Sequence, residues 1–493
     1  MSDLGNDIRR YYESVVERHD PGSPPIRRKQ GFNPILRGIG VAVAAVLVVL
    51  VLFGAIPLLF PGSSTPVGPA DTADTPPTTV GTTPETTAPP GDSLAPTVFV
   101  TTDGDEIASI EAGGRVEVSE PTQNLFDYVM RRLTDDPGYW PADTEVRQAL
   151  GLDPDGPTTG LTVELTIDME VQDLVESVLS TWRSEPDTSI VVVVVDNETG
   201  HVIAAGPGST PGGLFEPERL LPAASLAQVY TTVAALESGF TLGSRWDASS
   251  PQTFTDPDSG REWRVQNPGE QSYEPVALEG ALYRAIDTVF AGVAVEIGGD
   301  PIIDAANRLG MTLTGIETLS PLDTSDAAGP PLESVAIGAG EITTFDAAAM
   351  FTTLSREGRR TIPTLIRSIT GPDGGLIYEA PAQDEVTVDP AVVEDVHRPL
   401  EIVPTPRGTG VRAEIGVPQI GKTGTAKGFL TAWYAGSTHR YTAAVSVSRP
   451  AAAGELTPLR ELEFRGQIYN RVFGGSVPAP IWAEVMRRLE ELP

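Results

Sequence analysis

A hydroxyl, three amines and a surplus of carboxylates are the reactive groups on which this 493-residue chain can draw. It has no cysteine, which excludes thiolate catalysis, disulfides and cysteine-held zinc. Its histidines, His19, His201, His397 and His439, stand too far apart in sequence to read as a metal-ligand set, so neither a metal nor a cofactor is expected. Lysine occurs only at Lys29, Lys422 and Lys427. Two short segments place such groups close together. Ser225-Leu226-Ala227-Gln228 opens an apolar run, and Lys422-Thr423-Gly424-Thr425 lines up an amine, two hydroxyls and a glycine. A serine becomes a nucleophile when a base stands one helical turn away. Gln228 holds that place, and a carboxamide can orient a hydroxyl but does not take its proton near neutral pH. The same four residues also read as a capping box, with Ser225 as N-cap and Gln228 reaching back. Both readings are open at this level.

These groups need a scaffold, and the hydrophobic pattern supplies one. Residues 161–168 alternate as a strand, and 169–182 have helical periodicity. Residues 189–195 are an apolar, β-branched run that reads as a buried strand. Asn197-Glu198-Thr199-Gly200 is a turn, and 201–205 return as the second strand of a hairpin. A helix is expected over 225–238, closed by Gly239. Strands joined by hairpins and separated by helices point to an α+β fold with a mainly antiparallel sheet flanked by helices. Residues 97–160 read as a small α+β pedestal module, with apolar runs at 97–100 and 124–133.

Further upstream the composition changes. Residues 38–60 carry no charge, enough to cross a hydrocarbon core of about 30 Å as one helix. Seven basic residues precede the run, and the next basic residue after it is Arg115. The positive-inside rule then predicts a single-pass cell-membrane protein, with a cytoplasmic arm over 1–37 and the rest extracytoplasmic. Residues 61–96 are a Pro/Thr tract that cannot bury a core and reads as a disordered stalk. With 34 basic against 67 acidic residues, the net charge of −33 argues against a nucleic-acid partner.

The segments LTIDMEVQDLVESVL, IVVVVVDNETGHVIAAG, PAASLAQVYTTVAALESG, ALEGALYRAIDTVFAGVAVEIG and GKTGTAKGFLTAWYAG appear in this order. Together they resemble the transpeptidase domain of penicillin-binding proteins over 161–493, of the monofunctional, membrane-anchored type. The resemblance implies a β-lactamase/transpeptidase-like fold and a serine acyl-enzyme chemistry in cell-wall peptidoglycan biosynthesis. The three family motifs fare differently here. The Ser-x-x-Lys pair becomes Ser225 and Gln228, so the nucleophile is present and the general base is absent. Ser-x-Asn becomes Ala285-Ile286-Asp287, which loses a hydroxyl and gains a carboxylate. Asp287 reads either as a replacement base or as the ion-pair partner of Lys422. The Lys-Thr-Gly-Thr motif, Lys422 to Thr425, is intact. By resemblance Thr423, Gly424 and Thr425 bind substrate, and the Thr425 N–H serves the oxyanion hole. Lys427, five residues on, would face the other side of a regular strand, so it does not replace the missing base.

The leading expectation is a pseudoenzyme: a penicillin-binding-protein-like factor whose domain binds or regulates in cell-wall synthesis. The implied ligands are a peptidoglycan stem peptide or a β-lactam, and the implied partners are membrane cell-wall synthesis proteins. Two alternatives are an active D,D-transpeptidase or carboxypeptidase acting through Ser225, and a β-lactam or muropeptide sensor signalling through the arm.

Overall fold

A computed structural model of the chain describes residues 95–110, 116–118, 160–182, 187–207, 216–256, 258–324, 329–451 and 455–493. The arm, the apolar run 38–60, nearly all of the stalk and the expected run at 124–133 lie outside these residues. Among the described residues no helix is long and apolar enough to cross a membrane.

The centre of the fold is a five-stranded antiparallel sheet. Its order is Ile420–Thr425, Thr431–Ser437, Tyr441–Ser448, Ser189–Asp196 and Val202–Gly206. The apolar run at 189–195 lies in the interior of this sheet with helices on both faces, which is why it shows no polar alternation. Val193 and Val195 join one core cluster with the helix Thr344–Ser355, while Val192 and Val194 join another with Pro478–Glu490 and Met169–Trp182. The expected hairpin forms, with Val193 opposite Ala205. The expected helix over 169–182 forms with those bounds.

The strands of the expected pedestal do not make a sheet of their own. Thr97–Val100, Glu106–Ile110 and Val116–Val118 share one six-stranded sheet with Thr162–Leu165, Ile366–Thr370 and Leu376–Glu379. Thr97–Val100 runs parallel to Thr162–Leu165, with Val98 opposite Thr162. A domain boundary drawn at residue 160 therefore passes between two paired strands.

The sheet's edge strand, Ile420–Thr425, carries the intact Lys-Thr-Gly-Thr segment. Its register puts Lys422 opposite Ala435 and Gly424 opposite Trp433. Beside this edge stands the 3-10 turn Ala224–Leu226, which leads into the helix Ala227–Glu237, buried along most of its length and carrying Gln228.

Candidate active site

Ser225 lies in a 3-10 turn, Ala224–Leu226, that feeds directly into the helix Ala227–Glu237. Ala224 sits in the left-handed region at φ 50, a conformation that costs an alanine roughly 1 kcal/mol. Gly338 holds the turn in place. Its φ is 89, and a Cβ built there would overlap the backbone N, O and Cα of Ala224. The Ala223 N–H donates to Gly340 O, and Trp433 Nε1 donates to Pro222 O at 2.9 Å. Leu226 packs beside Gly424, so the serine turn and the edge strand adjoin.

The capping box does not form. The 3-10 turn and the following helix have Ala223 and Leu226 as N-caps, neither with a side-chain cap bond. Gln228 is fully buried and points across the sequence instead, its Nε2 donating to Asp287 Oδ1 at 2.8 Å. Its Oε1 is buried without a partner. An isolated orphan acceptor costs about 1–3 kcal/mol, so the carboxylate 59 residues away has outcompeted the local cap. Among the described residues the Ser225 side chain makes no hydrogen bond.

Asp287 is placed by a helix, a break and a second helix. Leu278–Arg284 ends with Ala285 in the left-handed region at φ 56, Ile286 is extended, and Asp287–Ile297 begins. Asn267, buried and absent from the sequence reading, fixes this start by accepting the Thr288 N–H at 2.9 Å. The only sequence signal for it was a turn-forming Asn-Pro step.

The expected ion pair between Asp287 and Lys422 is also absent as a direct contact. Their charged atoms lie more than 4.0 Å apart, and Lys422 Nζ donates to its neighbour's carbonyl, Thr423 O, at 2.9 Å. The two groups still feel each other. Burial pushes the Asp287 carboxyl up to about 7, against a lowering pull from Lys422 and the Gln228 hydrogen bond. Burial pushes the Lys422 amine down to about 7, against a raising pull from Asp287. Desolvation exceeds attraction because there is no direct bridge to offset it.

A pH-dependent stability follows. The folded-state pKa of Asp287 lies above its ordinary 3.8, so the stability of its protonated form is complete below about pH 4 and is lost as pH rises through about 7. Asp287→Asn is therefore expected to unfold at the same denaturant concentration as the unmodified chain at pH 4. At pH 8 it is expected to be more stable, by up to about 4 kcal/mol and less in proportion to the solvent reaching the partly exposed residue. Urea titrations at the two pH values check this.

The third motif keeps its hydroxyls in order. Thr423 Oγ1 shares a 2.5 Å hydrogen bond with Thr409 Oγ1, and Thr425 Oγ1 accepts the Gly474 N–H at 3.1 Å. Having accepted that bond, the Thr425 hydroxyl still has its proton to donate. Thr409 and Gly474 were not singled out in the sequence. Lys427 is exposed in a 3-10 turn, Lys427–Phe429, beyond the strand's end, so strand alternation does not apply to it. It takes no part in the site. The described residues bring together Ser225, Gln228, Asp287, Lys422 and Gly424. They hold no group of three or more potential metal-ligating side chains.

The model of the penicillin binding protein transpeptidase domain matches residues 190–456, more than half the chain. The chain belongs to this family. Penicillin-binding protein 1A of Mycolicibacterium smegmatis is 24% identical over 344 residues, 67% of this chain and 41% of that protein. Penicillin-binding protein 1A of Aquifex aeolicus is 25% identical over 308 residues, 61% of this chain and 38% of that protein. The chain thus spans about two fifths of the length of these curated relatives. Among solved structures, the penicillin-binding protein PonA1 of Mycobacterium tuberculosis aligns with a TM-score of 0.59 and 23% identity, covering 73% of this chain and 89% of that one. The penicillin G acyl-enzyme complex of penicillin-binding protein A from M. tuberculosis aligns at 0.55 and 19%, covering 81% and 100%. These likenesses establish the α+β transpeptidase fold, with mainly antiparallel sheets and flanking helices.

Proposed function

We propose that this penicillin-binding-protein family member works in peptidoglycan synthesis as a membrane-anchored factor whose transpeptidase domain binds or regulates and does not acylate at a useful rate. The observation that carries the proposal is the Gln228–Asp287 hydrogen bond. It occupies the position one turn from Ser225 with a group that cannot accept the serine proton. Lys422 Nζ donates to Thr423 O and makes no hydrogen bond to Ser225. Asp287 accepts the Gln228 amide on Oδ1 and makes no hydrogen bond to Ser225. The apolar run 38–60, with its basic flank, supports anchoring with the domain outside the cytoplasm. The ligands this reading implies are a stem peptide or a β-lactam held without turnover.

A replacement allele tests the proposal. In the native host, Ser225→Ala is expected to give the growth and envelope of the unmodified allele, while deletion of the whole gene gives a cell-wall defect. An Ser225→Ala strain as defective as the deletion would overturn the non-acylating reading.

A further inference from the structure

The chain has about two acids for every base, yet two arginines stand against one aromatic ring, Tyr283, with no acid paired to either. Arg284 and Arg407 are both exposed, and their guanidinium carbons stand 5.4 and 5.2 Å from the centroid of the Tyr283 ring. Arg407 Nη2 also donates to the Tyr283 hydroxyl at 3.2 Å. Among the described residues neither guanidinium has a carboxylate within 4.0 Å. Like charges held around one ring repel, and a chain this acidic had ample means to neutralise them.

Both arginines sit on rigid supports tied to the site. Arg284 is the last residue of Leu278–Arg284 and directly precedes Ala285. Arg407 lies on a wound turn in which the Gly408 N–H donates to Thr405 O and the Gly410 N–H to Val403 O. Two residues on, Thr409 bonds Thr423 of the edge strand. Within the site Lys422 is fully buried, its Nζ donating to a backbone carbonyl.

We propose that Arg284 and Arg407 form an oxyanion-binding clamp at the junction of the second and third motifs, taking the carboxylate or phosphate group of a ligand. A guanidinium fork suits planar or tetrahedral oxyanions, and two forks on a shared aromatic base are already ordered for one. The clamp goes beyond the proposed function and holds whether or not Ser225 is acylated.

The test is binding to the full-length, detergent-solubilised chain, followed by calorimetry. The probes are acetyl-D-alanyl-D-alanine, its C-terminal amide and inorganic pyrophosphate. Binding of the free carboxylate but not the amide assigns a peptide source, and binding of pyrophosphate assigns a phosphate source; either supports the clamp. Arg284→Gln or Arg407→Gln is expected to weaken the bound anion about 10-fold and the pair about 100-fold. Should these variants unfold, Arg284→Lys and Arg407→Lys keep the charge and lose the fork, and are expected to weaken binding several-fold. Raising NaCl is expected to weaken binding to the unmodified chain. Absence of binding by both anions, or binding indifferent to the substitutions and to salt, would overturn the clamp. Neither readout depends on a penicillin adduct, so failure of the clamp and failure of the non-acylating reading are distinguishable.

Discussion

Gln228→Lys, introduced alone, is expected to leave Ser225 almost as unreactive toward a fluorescent penicillin as in the unmodified chain. Combined with Asp287→Asn, it is expected to raise labelling by about 10²–10⁴-fold. The reason lies in where the new amine lands. The Gln228 amide nitrogen stands 2.8 Å from Asp287 Oδ1, so a lysine there would form a buried ion pair. An adjacent carboxylate stabilises the ammonium form, which is the form that cannot accept the serine proton. Asparagine at 287 removes that charge and frees the amine. Adding Ala285→Ser restores the hydroxyl of the second motif and is expected to increase the rate further. Residues 228 and 287 are thus coupled through one hydrogen bond. Gel fluorescence over a time course checks the series. Single-variant labelling as fast as that of the double would break the coupling.

Gly338→Ala is expected to be among the most damaging single substitutions in the domain, costing at least about 3 kcal/mol. Two penalties combine. The residue has φ 89, which disfavours any side chain, and its Cβ would overlap the Ala224 backbone, with Cα at only 2.6 Å. Backbone atoms cannot rotate away as a flexible side-chain tip can, so the serine turn itself must shift. Gly329→Ala separates the penalties, since Gly329 has φ 90 with nothing within 4 Å of its added Cβ. It is expected to cost about 1 kcal/mol, from strain alone. Urea unfolding of both variants measures the difference. Equal losses would mean that Gly338 does not brace the turn.

Much of this arrangement is legible in the chain because it is local. The helix Met169–Trp182 follows from apolar spacing, and the hairpin from Asn197-Glu198-Thr199-Gly200 between two apolar strands. The motif residues Ser225, Gln228, Ala285, Asp287 and Lys422 were visible as types in order, and the structure brings them into one region. What escapes a sequence reading is set by contacts distant in the chain. The capping-box pattern at Ser225 and Gln228 satisfies every local rule, yet Gln228 turns to a carboxylate from another helix. Opposite charges at 287 and 422 invited an ion pair, but a lysine on an edge strand can meet the carbonyl of the next residue, Thr423, at 2.9 Å instead. Nor does apolar spacing reveal that Thr97–Val100 pairs in parallel with Thr162–Leu165. Thr409, Asn267 and the Tyr283–Arg407 contact are likewise single polar residues in loops or at helix ends, whose partners only the folded chain supplies.

The central claim is that Gln228 leaves Ser225 without a base one helical turn away. Intact-mass analysis of the purified chain after incubation with benzylpenicillin tests it most directly. The unmodified mass is expected to persist through hours of exposure to excess drug. A mass increase of one drug molecule within minutes, mapped by peptide sequencing to Ser225 and absent in Ser225→Ala, would contradict the claim.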